Sequence, residues 1–122
     1  MEYCAEVKRR LRSPERGGLA RELVASVVTG EAEDRSLNVW VRYQVQLHDG
    51  AIDSIRFEAY GCPHFVAAAD WFAEWLEGRR IASLTEPDTR GAREALGVPT
   101  EKIGKLLVIE NALAACEAAV AA

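Results

Sequence analysis

Between Asn38 and Tyr60 the chain reads NVWVRYQVQLHDGAIDSIRFEAY, a stretch that leaves its backbone few choices. Val39, Val41, Tyr43, Val45 and Leu47 alternate with Trp40, Arg42, Gln44 and Gln46. Successive strand side chains point to opposite faces, so this period of two sets an apolar row inward and a mostly polar row outward. His48-Asp49-Gly50 supplies a turn, and Ile55, Phe57 and Ala59 return along one face. The pattern predicts an antiparallel hairpin.

The hairpin runs directly into helical spacing. Gly61 permits a sharp turn, and Pro63 suits a first helical position, where its missing N–H would be unpaired anyway. Phe65, Ala69, Phe72 and Leu76 then recur one turn apart, with Val66, Trp71 and Trp75 widening the stripe and Asp70, Glu74 and Glu77 forming a polar ridge. A helix this apolar is buried against the sheet or a partner, its aromatics belong to the core, and Gly78 closes it.

Upstream, Tyr3, Val7 and Leu11 lie on one side of a short basic helix over residues 3–12, stopped by Ser13-Pro14 and followed by a change of direction at Gly17-Gly18. LVASVVT, residues 23–29, is β-branched enough for a strand, and GEAEDRS after it reads as a solvated acidic loop with Glu31, Glu33 and Asp34. Downstream, ASLTEP is a short turn or helix and TRGAREALG a helix ending at Gly97. The last helix carries Ile103, Leu106, Ile109, Leu113, Cys116 and Val120 at helical spacing. The expected architecture is α+β, a three-stranded antiparallel sheet with helices packed against it, in a single domain spanning residues 1–122.

Composition narrows the function. A formal charge of −4 provides no broad basic surface and argues against sequence-independent nucleic-acid binding. No apolar run reaches membrane-spanning length and the N-terminus lacks a secretory signal, so the expected location is cytoplasmic. Cys4, Cys62 and Cys116 are an odd number with no CxxC pair, against a disulfide framework or zinc knuckle and in keeping with a reducing compartment.

Cys62 holds the most chemistry. At a helix N-terminus a thiol faces unpaired N–H groups and the positive end of the helix dipole, which favours its thiolate. It is therefore a metal ligand, a reactive sulfur, or a thiol filling a small buried space. Cys4 reads as a solvated or half-buried thiol, Cys116 as packing on the apolar stripe, and His48 as an exposed turn residue. His64 is a surface polar residue of the first helical turn or, kept neutral by the helix end, a further ligand. No phosphate-binding glycine loop is visible, and Cys62 with His64 is a weak thiol–imidazole pair, so the chain does not read as an enzyme.

Tyr3, Val7, Pro14 and Gly18 at one end, Arg56-Phe57 and Tyr60-Gly61-Cys62 in the middle, then Glu74-Trp75, Gly78-Arg79, Pro99, Lys102 and Ile103, occur in this order along nearly the whole chain. They resemble the NifU/IscU-type iron–sulfur cluster scaffold family. The resemblance implies that family's α+β fold, work in iron–sulfur cluster assembly, and a cysteine desulfurase or other assembly factor as partner. It places Cys62 at the family's central cysteine, but Leu37 and Val39 at its first cysteine and aspartate, and Gly104 and Lys105 at its His-Cys pair. A [2Fe–2S] cluster ordinarily takes about four protein ligands. Iron or a cluster would thus need ligands borrowed from elsewhere. Zinc would need His64 and the Glu31, Glu33, Asp34 segment to converge on Cys62, and a site holding no metal is equally consistent. Lys105, if it lies beside Cys62, would stabilise a thiolate and suit a sulfur acceptor. Val98, Pro99 and Lys102 stand where the family binds partners, in a reduced form that argues against the dedicated chaperone. Two readings follow: an assembly protein using Cys62 as ligand or sulfur acceptor, or an adaptor that keeps the fold as an interaction module.

Overall fold

In the computed structural model, residues 3–12 and 27–121 are described. The elements are α1 (Ala5–Arg12), β1 (Val27–Asp34), β2 (Val39–His48), β3 (Ala51–Tyr60), α2 (Pro63–Leu76), α3 (Thr89–Leu96) and α4 (Ile103–Ala121). Short 3-10 turns lie at Ile81–Leu84 and Thr100–Lys102. The three strands form one antiparallel sheet in the order β1-β2-β3.

The predicted hairpin is β2 and β3, with Val41 opposite Ala59, Tyr43 opposite Phe57 and Val45 opposite Ile55. Its turn is tight: His48 pairs with Ala51, and Asp49 (φ 50°) and Gly50 (φ 76°) both take the left-handed conformation that matches strand twist. Near the turn the register shifts, from Gln46 opposite Ser54 to Leu47 opposite Ile52. This bulge breaks the period of two, which is why Ile52 is fully buried with Ile55 and Phe57 while Asp53 is exposed.

The first strand runs past its expected end. It begins within the predicted 23–29 segment, whose residues 23–26 lie outside the described ones, and continues to Asp34, so GEAED is strand and not loop. Glu31 and Glu33 simply form its outward row, opposite Arg42 and Trp40, while Gly30 and Ala32 face inward. Gly30 is buried because α4 crosses it closely: a Cβ there would strike the Ala112 carbonyl and the Cys116 backbone nitrogen. The expected breaks at Ser13-Pro14 and Gly17-Gly18 lie outside the described residues.

One face of the sheet carries the core, with α4 across β1 and β2 and α2 along β3. Tyr43, Phe65, Phe72, Leu106, Ile109 and Leu113 are almost fully enclosed there. Each such aromatic or branched side chain contributes roughly 1.5–3 kcal/mol on burial. The buried Tyr43 hydroxyl donates to the Ala69 carbonyl at 2.8 Å, satisfying the one polar atom it brings inside. As expected, Gly78 (φ 88°) follows the end of α2 and Gly97 (φ 61°) ends α3.

Helix α1 does not use the face its spacing suggested. Val7 is buried, but Leu11 is 37% exposed and Arg10 only 4%. The Arg10 guanidinium lies 2.6 Å from Asp70, 2.6 Å from Glu74 and 2.8 Å from Glu6. The polar ridge of α2 is thus partly enclosed, and its Asp70 receives α1. A buried guanidinium is tolerable only with this many acceptors.

Candidate functional site

Strand β3 ends where Gly61 lies against the Phe65 ring and Val39, too close for any larger residue without movement. Cys62 follows in extended conformation (φ −69°, ψ 164°) as the N-cap of α2, with Pro63 as its first residue. The Val66 N–H donates to the Cys62 carbonyl at 3.1 Å and closes the first turn. The thiol is therefore half-buried at a helix start, the position its sequence implied.

The opposite wall comes from the start of α4. Pro99 and the 3-10 turn over Thr100–Lys102 lead into that helix, and Lys105 stands in its first turn with Nζ donating to the Cys62 Sγ at 3.4 Å. One turn earlier, Lys102 Nζ lies 3.2 Å from Nδ1 of His64 and 5.3 Å from the Tyr3 ring. Tyr3 in turn packs on His64, ring centroids 4.6 Å apart. Three segments of the chain meet here.

Burial and charge together set the protonation states. Burial is the largest single influence on Cys62 and pushes its thiol up. The Phe65 N–H aimed at the sulfur, the Lys105 hydrogen bond and the charges of Lys102 and Lys105 together outweigh it, so its pKa falls below the ordinary thiol value. His64 is lowered by burial first and then by Lys102 and Lys105, with Glu101 opposing. The imidazole is neutral, its Nδ1 accepts from the Lys102 ammonium, and its proton sits on Nε2.

Of the other predicted positions, His64 and Lys102 join this group and the acidic segment does not. His64 is 4% exposed, not a surface residue of the helix start, because Tyr3 and Lys102 cover it. Glu31 binds Arg42 at 3.0 Å and the Trp40 indole at 3.2 Å, Glu33 faces Arg35 at 3.8 Å, and Asp34 accepts from the Ser36 and Leu37 N–H groups. The acidic convergence that zinc would need is absent: among the described residues no three His, Cys, Asp or Glu side chains are grouped to hold a metal. Leu37, Val39 and Gly104 offer no donor side chain. Cys4 Sγ donates to the Leu96 carbonyl at 3.3 Å, tying α1 to the end of α3. Cys116 is buried, which pushes its thiol up to about 12. Of the Val98, Pro99 and Lys102 group, Val98 is buried in the core, Pro99 is half-buried and Lys102 turns to His64.

Sequence reasoning gave Lys105 a place beside Cys62 and missed Lys102 and Tyr3 as neighbours of His64. A signal existed: Lys102 and Lys105 are three apart, the spacing that puts two side chains on one face of a helix start. The resulting site is one half-buried thiol whose pKa is lowered, with the Lys105 ammonium in contact and Lys102 one turn back. It can act as a nucleophile toward sulfur, whereas one thiol with a lysine in contact does not supply the donors of a cluster cage.

Comparison with known proteins places the chain in a family. The chain matches the family described as NifU-like N terminal domain over residues 2–122. It is 28% identical over 76 residues to the iron–sulfur cluster assembly scaffold protein IscU of Azotobacter vinelandii, covering 62% of this chain and 59% of that relative. To the protein of the same name from Haemophilus influenzae it is 24% identical over 116 residues, covering 94% and 92%. Among solved structures, a candidate iron–sulfur cluster assembly scaffold protein for the SUF system of Fervidobacterium islandicum superposes with a TM-score of 0.72 at 11% identity, covering 94% of this chain and 96% of that one. The last comparison speaks for the α+β fold alone. The chain spans about three-fifths of the length of the first of these relatives and belongs to the NifU-like N-terminal domain family.

Proposed function

We propose that this protein serves iron–sulfur cluster assembly as a sulfur acceptor, with the Cys62 thiolate taking sulfane sulfur from the persulfide of a cysteine desulfurase. The observation that carries the reading is the Lys105 ammonium, 3.4 Å from the Cys62 sulfur at a position where the family resemblance expects a ligand cysteine. A cation in that place favours an anionic sulfur and opposes a metal ion. The step is an exchange without net oxidation. Cys62 attacks the outer sulfur of the donor persulfide, an S–S bond forms at Cys62 as the donor's own S–S bond breaks, and the donor cysteine leaves as thiolate. The new persulfide inherits the contact with Lys105.

Any iron or cluster is cargo that draws further ligands from a partner or a second chain. A reducing cytoplasm suits a free thiolate of this kind, and a desulfurase or another assembly factor is the expected partner. A second reading, an adaptor that binds assembly partners without handling sulfur, draws on Leu37, Val39 and Gly104, which leave the other ligand positions without donors. Incubation with a desulfurase and cysteine, followed by intact mass and labelling of sulfane sulfur, separates the two. One added sulfur on wild type and none on Cys62→Ala is the expected result. No added sulfur on either, with the desulfurase still captured, would establish the adaptor. Iron, zinc and acid-labile sulfide per chain, measured after anaerobic reconstitution of both proteins, report whether borrowed ligands complete a site.

A further inference from the structure

Two cations at this site do different things. Lys105 touches the sulfur itself, whereas Lys102 stands one turn back over His64 and the Tyr3 ring, yet close enough to act on Cys62 through space. Among the described residues neither lysine is ion-paired with a carboxylate, although the chain as a whole carries a formal charge of −4. Lys102 contacts a ring nitrogen and not a carboxylate, so no ion pair cancels its positive charge. An incoming persulfide needs one cation for its sulfur chain; a second one, offset along the same wall, matches a charge on the carrier of that sulfur.

We propose that the Cys62 site accepts sulfane sulfur directly from low-molecular-weight persulfides whose carrier thiol bears a carboxylate, with Lys105 holding the sulfur and Lys102 the carboxylate. The inference rests on the sulfur-acceptor reading above and adds the class of donor. The exchange balances as before: the Cys62 thiolate bonds to the outer sulfur of RSS⁻, the donor S–S bond breaks, and RS⁻ departs with its carboxylate. No oxidant or reductant is consumed.

A series of carriers of similar size tests it: the persulfides of mercaptopropionate, mercaptoethanol and cysteamine, which are negative, neutral and positive. Loading of the full chain is followed by intact mass. The expected order of rates is negative, then neutral, then positive. Each step would be about three- to fivefold, the size of one charge pair near water, and the differences would shrink as salt is added. Lys102→Gln should abolish the order and, because it also removes a charge that favours the Cys62 thiolate, slow the neutral carrier modestly; Lys105→Gln should slow all three while the order persists. Equal rates from the three carriers, or an order that survives in Lys102→Gln, would overturn the assignment of Lys102. Loading by a desulfurase but by none of the carriers would overturn this inference and leave the acceptor reading standing. No loading at Cys62 from any source would remove both.

Discussion

At the scale of single residues, the chemistry depends on which charge lies next to Cys62. Replacing Lys105 by Met removes a hydrogen bond and a positive charge, so the thiol pKa should rise toward the ordinary value. Iodoacetamide alkylation at neutral pH should then slow and recover at alkaline pH, as rates measured across pH would show. In the wild-type chain, Cys62 should react before Cys116, whose burial holds its thiol at about 12; peptide mapping after brief alkylation checks the order. The position of Cys62 was legible in sequence, because Gly61 and Pro63 flank it. Its cationic surroundings were legible only as far as the family resemblance placed Lys105 opposite. Of the two readings of His64, surface group or further ligand, the structure removes the first, since nothing in the spacing shows that Tyr3, sixty-one positions earlier, packs on its ring.

Elements are joined by contacts that no local pattern carries. The Arg10 guanidinium ties α1 to α2, and Asp70→Asn would leave it with the half-exposed carboxylates of Glu6 and Glu74. A loss of about 3 kcal/mol is expected, toward the lower end for a broken buried pair, and urea unfolding measures it. Gly30 reports the approach of α4 to β1. Gly30→Ala must push backbone against backbone and should cost up to about 3 kcal/mol. Gly104, whose added Cβ meets nothing within 4 Å, provides the contrast: Gly104→Ala should stabilise α4 by roughly 0.5 kcal/mol. The hairpin was predictable because its alternation holds over many residues. The extent of β1 was not, since an outward row of glutamates in a strand has the same composition as a solvated loop.

For the whole molecule, pH dependence should carry the mark of His64. Its folded pKa is depressed below the ordinary value near 6.5, so the unfolded chain takes up its proton first as the solution is acidified. The contribution to stability is complete above pH 6.5 and is lost as pH falls toward the folded value. The facing charges are Lys102 and Lys105, with Glu101 opposing. Melting curves from pH 7.5 to 5.5 should show wild type losing stability over that window, and His64→Gln should flatten the slope.

The sequence alone determined the elements whose signal is local: alternation for β2 and β3, helical spacing for α2 and α4, a turn-and-proline junction that puts Cys62 at a helix start, and a family resemblance that fixed the fold. Tertiary structure decided what those elements bring to one another. It turned Arg10 inward and Leu11 outward, paired Glu31 with Arg42 and the Asp34 carboxylate with backbone N–H groups, set Lys105 on the thiol, and stacked Tyr3 and Lys102 on His64. The physical reason is range. Backbone preference and side-chain periodicity act over a few neighbouring residues. Burial, ion pairing and pKa depend on atoms that meet only when distant segments pack.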